Sequence, residues 1–170
     1  MDGTETRWVA GPPLPTDPPP SLHIALYHPE IPQNTGNIGR LCLGIGAVLH
    51  VVHPISFQMD EKAVRRAGLD YWRHVRLIEH PDEAHFWAWA EGRRTHLLSS
   101  HGDRPYTRAT WQRGDVIVLG QETVGLPRAL VEARGALTIP MGGPTRSLNV
   151  ANAAAVVAYH AMTSIEPTWF

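Results

Sequence analysis

From Ser21 onward the chain alternates between short β-branched or leucine-rich runs and windows of helical spacing, and this alternation constrains the fold most. The apolar runs fall at 22–27, 48–53, 75–79, 95–99, 116–120 and 136–140. The helical windows fall at 36–45, 60–67, 82–91, 126–133 and 148–163. Strand-length runs separated by helices predict an α/β fold, a mainly parallel sheet with helices on both faces. No internal repeat or second linker interrupts the pattern, so 21–170 reads as one domain, long enough to bury a core. Ahead of it, "MDGTETRWVAGPPLPTDPPP" carries six prolines in twenty residues. It lacks the basic and apolar regions of a secretion signal, so 1–20 is expected to be a disordered or polyproline-like tail.

Charge and cysteine content narrow the class. With 15 Lys+Arg against 16 Asp+Glu, the formal charge is −1. That excludes a globally basic nucleic-acid binder and leaves room for a local basic patch. A single cysteine, Cys42, rules out an internal disulfide and fits a cytoplasmic protein. No apolar run approaches the roughly 18 residues of a membrane span, so no membrane partner is expected.

Ligands of parallel sheets bind beyond the carboxyl ends of the strands, which directs attention to three loops. The first is "PQNTGNIGRLCLGIGA", residues 32–47. Asn34 or Thr35 fits an N-cap, and a helix start there would offer free backbone N–H groups to an anion. Asn37, Arg40 and Gly44 share one helical face by spacing. Gly36, Gly39, Gly44 and Gly46 each cost about 0.5–1 kcal/mol inside a helix relative to alanine. Such residues persist where another backbone or a ligand must come close. A loosely packed helix with one solvated arginine is the other reading. Leu49 at the third glycine's place excludes a dinucleotide fingerprint.

The second loop is "VIVLGQETVGLP", residues 116–127. A buried strand ends at Gly120, where a glycine lets a ligand approach the main chain. Glu122 follows, suited to bind backbone donors or a sugar hydroxyl, or equally to cap the helix that begins near Pro127. The third is "IPMGGPTRSLNVANAAAVVAYH", residues 139–160, in which Ser147 is expected to cap a helix apolar almost all round. Its narrow polar stripe is Asn149, Asn152, His160 and Thr163; either the helix faces a second subunit, or the stripe is simply solvated.

Two further features bear on partners. The segment "EKAVRRAGLDYWRHVR", residues 61–76, sets five cations against two carboxylates. Arg65 and Arg66 are candidate RNA contacts, and Tyr71 and Trp72 candidate stacking platforms for an unpaired base. Core packing of the two aromatics and a solvated face of arginines is the competing reading. The ten histidines show no paired metal-ligand spacing, and His80 and His85 read as surface residues around a helix start, so no metal is expected.

In order, "IALYHPEIPQNTGNIGRLC", "RRAGLDYW", "GQETVGLP" and "IPMGGPTRSLNVANA" resemble the motifs of the SPOUT methyltransferases, over residues 22 to about 162. Within that group the compact chain looks most like the minimal bacterial tRNA 2′-O-methyltransferases, which act at the wobble nucleotide. The resemblance implies a trefoil-knotted α/β fold, S-adenosyl-L-methionine as cofactor, tRNA as substrate and a homodimer. It implies Leu98, Gly120, Ile139 and Ser147 as cofactor-binding residues and Arg40 as the catalytic residue. Asn34, Glu122, Gly125 and Asn149 match positions that shape the site. The implied reaction is 2′-O-methylation of the wobble ribose, cytidine or modified uridine, in the anticodon loop of a leucine tRNA. Action on another RNA, or a non-catalytic RNA-binding module of the same fold, stays open. A nucleotide hydrolase or kinase has little support, since no GxxxxGK[ST], G-x-S-x-G or H-E-x-x-H occurs.

Overall fold

The computed structural model describes residues 18–59 and 70–170. Most of the expected tail, the expected helix 60–67, Arg65 and Arg66 lie outside the described residues. The elements are β1 (His23–Tyr27), α1 (Pro32–Ile45), β2 (Val48–Val52), β3 (Leu77–His80) and α2 (Glu83–Ala90). They continue with β4 (Thr95–Leu98), β5 (Arg104–Pro105), β6 (Val116–Leu119), α3 (Arg128–Arg134), β7 (Leu137–Thr138) and α4 (Val150–Ile165). Seven strands form one sheet in the order β3-β2-β1-β6-β4-β7-β5, and every pairing is parallel.

Both faces are covered, as the unbroken apolar runs require. Ile24, Leu26, Leu49, Val51, Ile117 and Leu119 pack under α1 and α4, meeting Ile38, Cys42, Val157 and Met162. Their neighbours in the pleat, Ala25, Tyr27, Val52, Val116 and Val118, meet Phe86 and Ala90 of α2, with Leu130 and Val131 of α3 alongside. β5 was not anticipated, because two residues beginning with an arginine carry no period to read. The run 136–140 yields only Leu137–Thr138 in β7; it ends at Pro140, which has no N–H to give a ladder.

Helix starts differ from expectation for one reason: their caps come from elsewhere. α1 begins at Pro32 with Ile31 as an extended N-cap, leaving Asn34 and Thr35 inside the helix. Proline suits that first position, where a missing N–H costs nothing. α4 is capped by Asn149, whose side chain accepts from the amides of Ala151 and Asn152, and not by Ser147. Pro127 stands just before α3 as its N-cap residue. α1 ends at Gly46 in the left-handed region, φ 69°.

Packing accounts for one of the helical glycines. A Cβ on Gly39 would lie 2.5 Å from the Trp72 ring, so the glycine is a notch that seats the indole against α1. Trp72 is buried at 9 % exposure within the core, which removes it from the candidate base-stacking residues. A Cβ on Gly44 would meet nothing, and Gly44 shares its exposed face with Asn37 and Arg40.

His80 overturns its reading as a surface residue. His23, His50 and His80 stand on three adjacent strands, all on the α2 face, and all are buried. His23 Nδ1 lies 2.9 Å from His50 Nε2, and His50 Nδ1 lies 2.9 Å from His80 Nε2. Trp89 covers the middle ring at 4.1 Å between centroids. Burial lowers all three pKa values, to about 4 for His23 and His80 and well below the ordinary value for His50. His85 is exposed, as read, and bonds Asp82.

Candidate active site

A cleft of about 590 Å³ opens beyond the carboxyl ends of β4, β6 and β7, where parallel sheets place their ligands. Leu98, Gly120, Ile139 and Ser147 all line it, as do Asn34, Glu122, Gly125 and Asn149. The strand ends supply Leu98, Leu119 and Ile139 as apolar wall, and the start of α4 supplies Val150 and Ala153. Ser99, Ser100 and Thr138 add hydroxyls, and Arg146 adds a cation.

Glu122 organises the mouth. Its Oε2 accepts the Glu30 amide at 2.9 Å, and its Oε1 accepts the Ile31 amide at 3.1 Å and Asn34 Nδ2 at 3.2 Å. It therefore caps the start of α1, across the sheet, and not the helix that follows it in sequence. A carboxylate there also faces the positive end of the helix dipole. Glu30 answers in kind, its carboxylate accepting the Thr123 amide at 3.0 Å and the Thr123 hydroxyl. The loop after β6 and the loop after β1 thus hold each other by reciprocal carboxylate contacts. Glu30 and Thr123 escaped the sequence reading; the signal was a carboxylate two residues before a proline that begins a helix.

From Asn34 the chain of contacts continues to α4. Asn34 Oδ1 accepts from Asn149 Nδ2 at 3.0 Å, and Asn149 Oδ1 accepts the Ala151 amide at 2.8 Å. A carboxylate can only accept, so Asn34 turns its amine to Glu122 and its oxygen to Asn149, which fixes every orientation in the series. Asn149, though exposed, is thus a link between α1 and the start of α4.

Gly120 has a different reason from the one expected. A Cβ there would stand 2.2 Å from the backbone of Gly125 and Leu126. Gln121 and Gly125 bridge, with Gly125 at φ 71°, so the loop folds back onto Gly120 itself. The glycine serves the loop before it serves any ligand.

Arg40 stands apart from the cleft lining. It is exposed on the outer face of α1, and among the described residues no carboxylate pairs with it. Its guanidinium carbon lies 5.6 Å from the centroid of the half-buried Tyr71 ring, whose hydroxyl donates to the Gly36 carbonyl at 3.0 Å. Tyr71 therefore abuts α1 beside Arg40.

Among the described residues no His, Cys, Asp and Glu group has the arrangement to hold a metal ion, and no helix is long and apolar enough to cross a membrane. The lining suits a nucleoside that bears an anionic group: apolar strand ends for a base, hydroxyls for a sugar and Arg146 for the negative charge.

Known proteins resemble this chain over most of its length. The profile of the SpoU rRNA methylase family matches residues 21–159. A tRNA (cytidine(34)-2′-O)-methyltransferase of Escherichia coli strain K12 is 41 % identical over 143 residues, which span 82 % of this chain and 91 % of that enzyme. A solved structure described as giving insights into 2-OH methylation of C/U34 on tRNA superposes with TM-score 0.79 at 41 % identity, covering 84 % of this chain and 95 % of the other. The SpoU methyltransferase AviRb of Streptomyces viridochromogenes, solved with AdoMet, gives TM-score 0.69 at 28 % identity, covering 82 % of this chain and 58 % of that one.

Proposed function

The chain belongs to the SpoU rRNA methylase family, and from that premise we propose that it methylates the 2′-hydroxyl of the wobble ribose, on cytidine or uridine, in the anticodon of tRNA. The observation that carries the reading is the convergence of Leu98, Gly120, Ile139 and Ser147 on one cleft whose mouth is built by Glu122, Asn34 and Asn149. S-adenosyl-L-methionine, when bound there, supplies an electrophilic methyl group. The residues of this chain supply orientation, water exclusion and charge.

In this reading Leu98, Leu119 and Ile139 take the adenine on an apolar wall, and the folded-back loop at Gly120–Gly125 presents backbone groups to the nucleoside. Arg40 holds the phosphate next to the target ribose and stabilises negative charge developing on the 2′-oxygen. It does so as a cation, since a guanidinium stays protonated in proteins. The phosphate or a water then takes the 2′-hydroxyl proton.

Arg40 lies on the outside of its own subunit, and this supports a homodimer in which α1 and α4 faces meet and the cleft of one copy takes Arg40 from the other. Val156 and Tyr159, exposed at 38 % and 45 % on α4, are the apolar part of that face. A cytoplasmic location and a C-terminal trefoil knot complete the proposal, the knot resting on the family likeness.

The test is transfer of tritiated methyl groups to total tRNA, followed by mapping of the labelled nucleoside. A 2′-O-methylated pyrimidine at the first anticodon position of a leucine tRNA is the expected product. Label entering ribosomal RNA and sparing tRNA would remove the substrate from the proposal.

A further inference from the structure

Tyr71 entered as a candidate platform for an RNA base, and the geometry points to another role: we propose that Tyr71 positions Arg40 for transfer. The inference rests on the reading of Arg40 as the catalytic residue and adds what holds it. A long arginine side chain on an exposed helix face populates many rotamers, and a catalytic one needs a fixed direction. Carboxylates usually provide it. Here none pairs with Arg40 among the described residues, and a carboxylate partner would also neutralise the charge an RNA phosphate must meet. An aromatic face can orient a guanidinium without cancelling its charge.

The ring is itself fixed from two sides. Its hydroxyl donates to the carbonyl of Gly36, one turn before Arg40 on α1, at 3.0 Å. Its chain neighbour Trp72 is locked into the Gly39 notch, where any larger residue would collide with the indole. Gly36 offers its carbonyl to the Tyr71 hydroxyl, Gly39 admits Trp72, and the tyrosine ring is left 5.6 Å from the guanidinium. The ring is half-buried, with the Arg40 guanidinium over it.

Steady-state kinetics separate the two roles. Tyr71→Leu is expected to lower kcat roughly 10- to 100-fold, as loss of orientation does, with KM for tRNA unchanged. Tyr71→Phe keeps the ring and is expected to recover most of that loss. Cofactor affinity by calorimetry stays at the wild-type value in both. A raised KM for tRNA with kcat intact would restore the base-stacking role and overturn the positioning one. Full activity in Arg40→Ala would sink the catalytic reading and this inference together; loss in Arg40→Ala with full kcat in Tyr71→Leu would sink this inference alone. One measurement needs no variant. In the wild-type protein the Arg40 δ-methylene protons are expected to be shifted upfield by the ring current, and resonance at exposed-arginine positions would overturn the contact.

Discussion

Two polar chains run through this molecule, one on the α2 face of the sheet and one at its carboxyl rim. The first links His23, His50 and His80 under Trp89. The second links Glu30, Thr123, Glu122, Asn34 and Asn149 at the mouth of the cleft. In the first, every member is neutral, because burial lowers each histidine's affinity for a proton. A neutral imidazole has one donor and one acceptor, so the two links force all three rings into the same tautomer. None of its three rings lines the cleft. In the second, two carboxylates spend themselves on backbone amides of the opposite loop, and the chain borders a cleft of ligand size. Polar density therefore does not mark a site here. What marks it is a polar network that fixes loops around open space.

The contrast breaks first at Glu122. Glu122→Ala leaves the amides of Glu30 and Ile31 and the Asn34 side chain without their acceptor and frees the start of α1. We expect methyl transfer to fall by about 100-fold or more, since misplacement of about 1 Å has that effect. Thermal stability should fall less than this, because the mouth is part-exposed and water can replace the lost acceptor. A variant that loses its fold before its activity would place Glu122 with the histidines, as structure alone.

His50→Ala should do the reverse. It removes the shared member of two buried links and leaves a void beneath Trp89. A loss of about 2–4 kcal/mol is expected in denaturant unfolding. Activity measured well below the melting temperature should stay within about twofold, given that the ladder borders no part of the cleft. A large drop in kcat with little change in stability would mean that the two chains are coupled through β1.

Much of this was legible in advance, and the failures share a cause. The parallel α/β sheet followed from apolar runs buried on both faces, and the loops after β1, β6 and β7 followed from where such sheets bind ligands, whereas Leu98 at the end of β4 came from the family resemblance alone. Residues whose role is local were readable; those whose partner is distant in sequence were not. Glu122 read equally as a binder of backbone donors and as a cap for the next helix, and the donors it binds lead into a helix that begins about ninety residues earlier. Ser147 looked like the cap of α4 because serine suits that role, yet Asn149 two residues on also bonds Asn34. Trp72 looked like a base platform because it sits among arginines, and only the Gly39 notch shows where it goes. His80 looked like a surface residue because its partner, His50, lies on another strand.

The smallest expected effect is a slope against pH, and it belongs to the histidine chain alone. The pKa values of His23 and His80 fall from 6.5 to about 4 on folding, and that of His50 moves in the same direction. Groups held neutral by the fold bind their protons mainly when it opens. Their contribution is therefore complete above pH 6.5 and is lost as pH falls through the window towards 4. Protonating two neighbours would set N–H against N–H across a 2.9 Å link, so the loss cannot be taken up by one ring after another. Each histidine adds at most about 1.4 kcal/mol per pH unit to the slope inside that window. Replacing His80 by glutamine should flatten the unfolding free energy between pH 6 and pH 4.5 by roughly that amount. An unaltered slope in the glutamine variant would show that His80 takes up its proton over the same range folded as unfolded, and the dry, neutral side of the comparison would fall.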